Sequence, residues 1–255
     1  MIPLITDFDK ERNAIINPSE IVESVEEMPK YIISCFTRSI IEKLASRDDV
    51  EVVWVNETAN GGYPVYKTKY NGVEIGFFMS GIGAALSASM LEEMIAIGAE
   101  KFLYFGSCGV LSNQIEDGEV IVPKYAIRDE GTSYHYLPAS ERVEMDDHAY
   151  QTICSILDEM NVPHCTGGTW TTDAFYRETQ KKMKKRIKQG CLCVEMECSA
   201  LLAVSKFREV SFGQFLFAAD CLDETVWQQR GLHVDQGLTL SDLYIEIAMK
   251  SVLKL

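Results

Sequence analysis

A chain of 255 residues is long enough for one large α/β domain, and 47% apolar with 24% charged residues gives it the material for a sizeable core. Its formal charge of −14 lacks the basic face that a nucleic-acid or anionic-membrane partner requires, although a few buried donors can still hold a small anionic substrate. The eight cysteines fall mostly inside apolar runs and form no CxxC pair, so they read as reduced core residues with no metal site among them. The opening stretch MIPLITDFDKERN has no apolar leader region, and the longest apolar runs fall short of a membrane span. The expectation is a reduced, soluble, cytoplasmic protein.

No linker, repeat or low-complexity segment divides the chain, so residues 1–255 read as a single domain. Residues 31–36 and 51–55 read as short buried strands. Residues 63–79 carry strand formers on both sides of Asn71-Gly72, a pair suited to the positive φ angles of a tight hairpin. Ser80-Gly-Ile-Gly83 then leads into a helix over 84–97, with Gly98 as its stop. Strands follow at 101–105 and 119–122, the first running into Gly106-Ser-Cys-Gly109. A helix over 147–160, a strand over 165–170 and a helix over 173–188 come next. The last elements are a strand at 191–194, a helix over 196–207, a strand at 212–219 ending in Asp220, and a helix over 240–253. Alternating strands and helices predict a twisted, mixed but mostly parallel sheet flanked by helices, with its ligand site at the carboxyl ends of the strands.

The chemistry-bearing motifs fall at those ends. Gly81-x-Gly83 ahead of a helix offers bare N–H groups to an anion or a ribose, or is simply a tight turn. It lacks the third glycine of a dinucleotide fingerprint. Ser107, in the second glycine loop, presents a hydroxyl and an N–H to a ligand oxygen. Val194-Glu-Met-Glu197 is the most informative segment. The helix dipole accounts for one of its acids, and the other can accept hydrogen bonds from vicinal ribose hydroxyls, with Met196 packing under the sugar. Asp220, at the end of an apolar strand, reads equally as a proton donor of raised pKa or as a helix N-cap. Arg128 and His135 lie in the polar, aromatic segment IRDEGTSYHY, and Trp170 suits either base stacking or the core. The basic run KKMKKR at 181–186 reads as a solvated helix face. The chain contains no HExxH, P-loop or G-x-S-x-G motif.

Taken in order, FGSCGVL, TTDAFY, VEMECSALLAV and the strand ending in Asp220 resemble the nucleoside phosphorylase family of purine and uridine phosphorylases, from about residue 72 to 220. The resemblance implies a phosphorylase/hydrolase-like fold and a pentosyltransferase that cleaves the N-glycosidic bond of a nucleoside, a purine by preference. Inorganic phosphate would be the co-substrate, with no metal or organic cofactor, in a homodimer or homohexamer. By that resemblance Glu197, Met196 and Glu195 would hold ribose, and Trp170, Cys108 and Gly109 would line the base. Ser107 and Gly83 would meet phosphate, and Asp220 would protonate the purine at N7. The chain departs from the family at its phosphate arginines. The early arginine loop corresponds to INPSE at 16–20, Tyr104 stands before the second glycine loop, and the partner subunit's arginine falls near Asn56. Arg128, His135 and Arg177 are the candidates to replace them. Uridine-type enzymes use a glutamine and an arginine shortly after the TTDAFY-like segment, where this chain has RETQKK at 177–182. The alternatives to phosphorolysis are a nucleosidase using water and a non-catalytic nucleoside-binding protein.

Overall fold

The computed structural model describes residues 6–59, 61–222, 227–230 and 236–255. The first five residues, part of the stretch read for a leader, lie outside them. Strand β1 (Tyr31–Cys35) is followed by helix α2 (Arg38–Ala45), preceded in the chain by the short α1 (Pro18–Ile21). Strands β2 (Glu51–Thr58), β3 (Gly61–Tyr70) and β4 (Val73–Met79) form an antiparallel wing. The β3–β4 turn is the expected hairpin, with Asn71 at φ 49° and Gly72 at φ 80°.

Helix α3 (Ala84–Ala96) leads to β5 (Lys101–Val110), β6 (Val120–Asp129) and the short β7 (Arg142–Glu144). Then come α4 (Asp147–Glu159), β8 (His164–Thr172), α5 (Gln180–Lys188), β9 (Cys191–Glu195) and α6 (Cys198–Arg208). The chain closes with β10 (Ser211–Leu222), β11 (Trp227–Gln228), α7 (Gln236–Thr239) and α8 (Ser241–Val252).

All these strands join one mixed sheet, whose long central ladders are parallel, with helices packed on both of its faces. Five strands close on themselves in the order β5, β9, β8, β6, β10 and back to β5, while β1 continues the sheet into the β4–β3–β2 wing. The decisive feature is β5. On one side it pairs with β10 along its whole length. On the other it pairs with β1 up to Phe105 and with β9 only from Gly109 onward. Positions 106–108 therefore lie where the neighbouring strand changes, and an α/β sheet opens a crevice at such a switch point.

Several boundaries differ from the sequence reading, mostly because tertiary pairing prolongs a strand. Gly106–Gly109 is strand, since β10 supplies partners through Val110. The strand begun at residue 119 or 120 runs to Asp129 along β8. Asp220 lies within β10, where the ladder slips between Ala218 and Asp220, so it caps no helix. The helix over 173–188 is instead a 3-10 turn (Phe175–Arg177) and then α5, whose first turn Thr179 caps by accepting from the Lys182 N–H (3.3 Å). Helix α2 has no counterpart in the sequence reading. All eight cysteines are free thiols. Among the described residues no helix is long and apolar enough to cross a membrane.

Candidate active site

The crevice at the switch point exposes one residue of β5. Ser107 is exposed between buried neighbours, which leaves its side chain accessible at the switch point. Beside it the missing Cβ of Gly106 makes room for the Phe36 ring, which would lie 2.6 Å from any Cβ there. Phe36 and Thr37 carry the chain from β1 into α2, which places Arg38 on the first helical turn at the same end of the sheet. From β4 the chain passes through Ser80, whose N–H donates to the Cys35 carbonyl (3.0 Å), and reaches Gly83 at the head of α3. Gly83 has φ 93°, a conformation costly for any residue with a side chain.

Gly83 connects the two halves of the site. Its N–H donates to Glu197 Oε1 (2.6 Å), and the Met196 N–H donates to Oε2 (3.3 Å). Glu197 is buried at the head of α6 with Met196 half-buried beside it. Glu195, two residues earlier, is tied far more tightly. Its Oε2 accepts from the N–H groups of Glu197 (2.8 Å) and Cys198 (2.6 Å), and its Oε1 from the hydroxyls of Thr171 (2.6 Å) and Thr169 (3.2 Å). Burial pushes the Glu197 carboxyl up to about 8, and the neighbouring Glu195 charge adds to the shift.

The third part of the site follows the next strands of the closed ring. Gly109 pairs with Val194 on one side and with Asp220 on the other. A Cβ on Gly109 would meet Leu222 Cδ1 at 2.6 Å, Asp220 Oδ1 at 3.0 Å and the Val194 side chain at 3.3 Å, so its absence leaves room for these side chains to close over the strand. Asp220 Oδ2 accepts from the Trp227 indole N–H (2.7 Å). Burial raises the Asp220 carboxyl above its ordinary range, against that hydrogen bond and the Arg230 charge. Glu178, at the end of the 3-10 turn, faces the same carboxyl. It is pushed up to about 7, first by burial and then by the charge of Asp220. Sequence reading passed over Glu178 and Trp227. The only available signal for Glu178 was its place directly after TTDAFY.

Other expected site residues are committed elsewhere. Trp170 is fully buried: its N–H donates to Asp129 (2.9 Å) and Arg186 stacks 5.5 Å from its ring centre, so it is a core residue and does not line a base pocket. Arg128 lies on β6 and spends its guanidinium on Ser133 Oγ, Ser140 Oγ and the carbonyls of Pro138 and Leu137, over the Tyr134 ring. It cannot also grip phosphate without dismantling that loop. Cys108 alternates to the face opposite Ser107 and is buried with its thiol on the Phe217 carbonyl (3.5 Å). Both oxygens of Glu195 accept from protein donors, and the Gly83 N–H donates to Glu197. His135 and Arg177 are exposed on two 3-10 turns. Tyr104, fully buried, packs against Phe36, Phe78 and Phe212.

With this geometry established, comparison with known proteins is informative. The sequence model described as Phosphorylase superfamily matches residues 30–238, and the chain belongs to that family. Residues 16–20 precede the match and run into α1 (Pro18–Ile21), and the arginine that follows β1 is Arg38. The guanosine phosphorylase of Halorubrum lacusprofundi is 27% identical over 166 residues, covering 65% of this chain and 67% of that one. The uridine phosphorylase of Thermococcus kodakarensis is 35% identical over 114 residues, or 45% and 41% of the two chains. The crystal structure of uridine phosphorylase from Vibrio fischeri ES114 has a TM-score of 0.77 at 25% identity, covering 91% and 95%.

Proposed function

We propose that this chain is a nucleoside phosphorylase that acts on a purine nucleoside, with inorganic phosphate as its co-substrate. The observation that carries the reading is the convergence at one strand switch point of a ribose-competent carboxyl, an exposed hydroxyl and a half-buried acid of raised pKa. In this reading Glu197 accepts the ribose hydroxyls while Met196 packs on the sugar. Phosphate oxygen forms a bond to C1′ as the C1′–N9 bond breaks, and its electron pair passes to the base. Positive charge develops on the sugar, where a carboxylate stabilises it. Asp220 gives its proton to N7, which makes the base a better leaving group.

Ser107 and Arg38 are the phosphate donors this geometry favours. Arg38 stands on the first turn of α2, where the dipole also suits an anion, and its ion pair with Glu42 is long at 3.7 Å and exposed. The purine preference is supported by the acids at the base end, Asp220 and Glu178. Assembly as a homodimer or homohexamer, in the cytoplasm, completes the proposal.

A second reading, hydrolysis, is favoured by one observation: Tyr104 stands where the resemblance calls for an arginine, and it is sealed under aromatic rings. Chromatography of purine and pyrimidine nucleosides incubated with and without phosphate decides between the two. Base release that depends on phosphate, with pentose 1-phosphate as co-product, is the expected outcome. Release at the same rate without phosphate makes the enzyme a nucleosidase, and binding without release makes it a binding protein.

A further inference from the structure

Glu195 is buried, yet none of the ion pairs among the described residues reaches it or Glu197. Its ionised form is supported by hydrogen bonds alone, four of them, two from backbone N–H groups on the first turn of α6. Glu197 receives two, both from backbone. Burial raises both carboxyls above their ordinary range, and donors oppose that by favouring the charged form of the group they serve, so with four donors against two the first charge of the pair settles on Glu195.

We infer that Glu195 is a positioning residue, whose buried carboxylate ties the head of α6 to β8 and whose charge acts on Glu197 across the turn. The inference rests on the reading that Glu197 holds the sugar. The mechanical part is visible in the bonds. Thr171 is the register partner of Glu195, and its hydroxyl also accepts from the Ser199 N–H (3.0 Å). Ser199 Oγ in turn donates to Glu130 (2.9 Å), which also takes the Ser133 hydroxyl and N–H. One buried chain of hydrogen bonds thus runs from the Arg128 loop to the backbone that carries Glu197. Buried networks of this kind fix a geometry because breaking one member leaves the others unpaired.

The electrostatic part follows from what faces Glu197. From β9 it meets Glu195. From α6 it meets Cys198, whose thiol burial holds well above the usual range, and from α3 it meets only the uncharged Gly83 N–H. The single strong influence of charge is therefore a like one, and it delays ionisation of Glu197.

The test is the pH dependence of kcat/KM, which reports groups of the free enzyme. The wild type gains activity as Glu197 ionises, near pH 8. Glu195→Gln keeps the shape and removes the charge, so that limb moves acidward by about one pH unit or more. Thr171→Val, which weakens support for the Glu195 charge while sparing both acids, moves it the same way by less, and serves should Glu195→Gln not fold. Glu197→Gln abolishes the limb and most of the activity. Unshifted profiles for Glu195→Gln and Thr171→Val, beside an inactive Glu197→Gln, overturn the inference while the proposed function stands. A fully active Glu197→Gln overturns the sugar reading, and the inference with it.

Discussion

Two pairs of carboxyls lie at the two ends of the crevice, and their surroundings are opposite in kind. Glu195 and Glu197, at the head of α6, are buried and held by backbone amides and hydroxyls, with no ion pair to either among the described residues. Asp220 and Glu178 are half-buried, on a strand and a 3-10 turn, with Trp227 donating to one and the charges of Arg230 and Lys182 opposing the burial shift. The difference matters because the two ends have opposite tasks in the proposed reaction. A carboxyl that stabilises a cationic sugar must be held still and charged. A carboxyl that protonates a base must hold a proton near neutral pH and exchange it with water. Fixed dipoles serve the first task, and partial burial beside a second acid serves the second.

The comparison can be broken most forcefully at Asp220. Asp220→Asn keeps the Trp227 hydrogen bond within reach but removes the acid. Purine nucleoside turnover is expected to fall by roughly 10²–10⁴, the range general acid catalysis supplies, with nucleoside binding retained in calorimetry. Retained turnover would remove the proton-donor role and leave the base end without a chemical task.

A smaller effect is expected at Glu178. Burial, and then the charge of Asp220, push the Glu178 carboxyl up to about 7, so it still carries a proton near neutral pH. Glu178→Gln removes that proton without changing shape. The fall in rate on the alkaline side should therefore begin at lower pH than in the wild type. A pH–rate profile identical to wild type would show that Glu178 takes no part in holding the proton.

The smallest effect on chemistry is expected at Trp170. Trp170→Phe deletes the donor to Asp129 and part of the surface under Arg186, and should cost about 1–3 kcal/mol in denaturant unfolding. Turnover should be unchanged in the folded fraction. A selective loss of base affinity would return Trp170 to the pocket lining.

Much of this site was legible in the sequence because its parts are local. The acids of VEME precede a helix of small residues, the β3–β4 hairpin follows from Asn71-Gly72, and Ser107 stands out as a polar residue closing an apolar strand. What was misread depended on partners far along the chain. Trp170 and Arg128 are an aromatic and a cation in a polar setting, which suits a pocket or a core ion pair equally well. Asp129, Lys182 and Arg186 decide the first case, and the carbonyls of Leu137 and Pro138 the second. Glu195 and Glu197 look equivalent in sequence, but the register of β8 against β9 puts Thr171 beside one and nothing comparable beside the other.

By itself, then, the sequence determined the alternation of strands and helices, the family, and the short segments at whose ends chemistry can occur. Hydrophobic period, turn residues and motif spacing are properties of neighbouring positions. Tertiary structure alone decided where β5 changes partner, which carboxyl is anchored and which is available, and which cations are already spent. Those outcomes depend on burial and on hydrogen bonds between residues as much as 114 positions apart, as Gly83 and Glu197 are, and no local pattern encodes them.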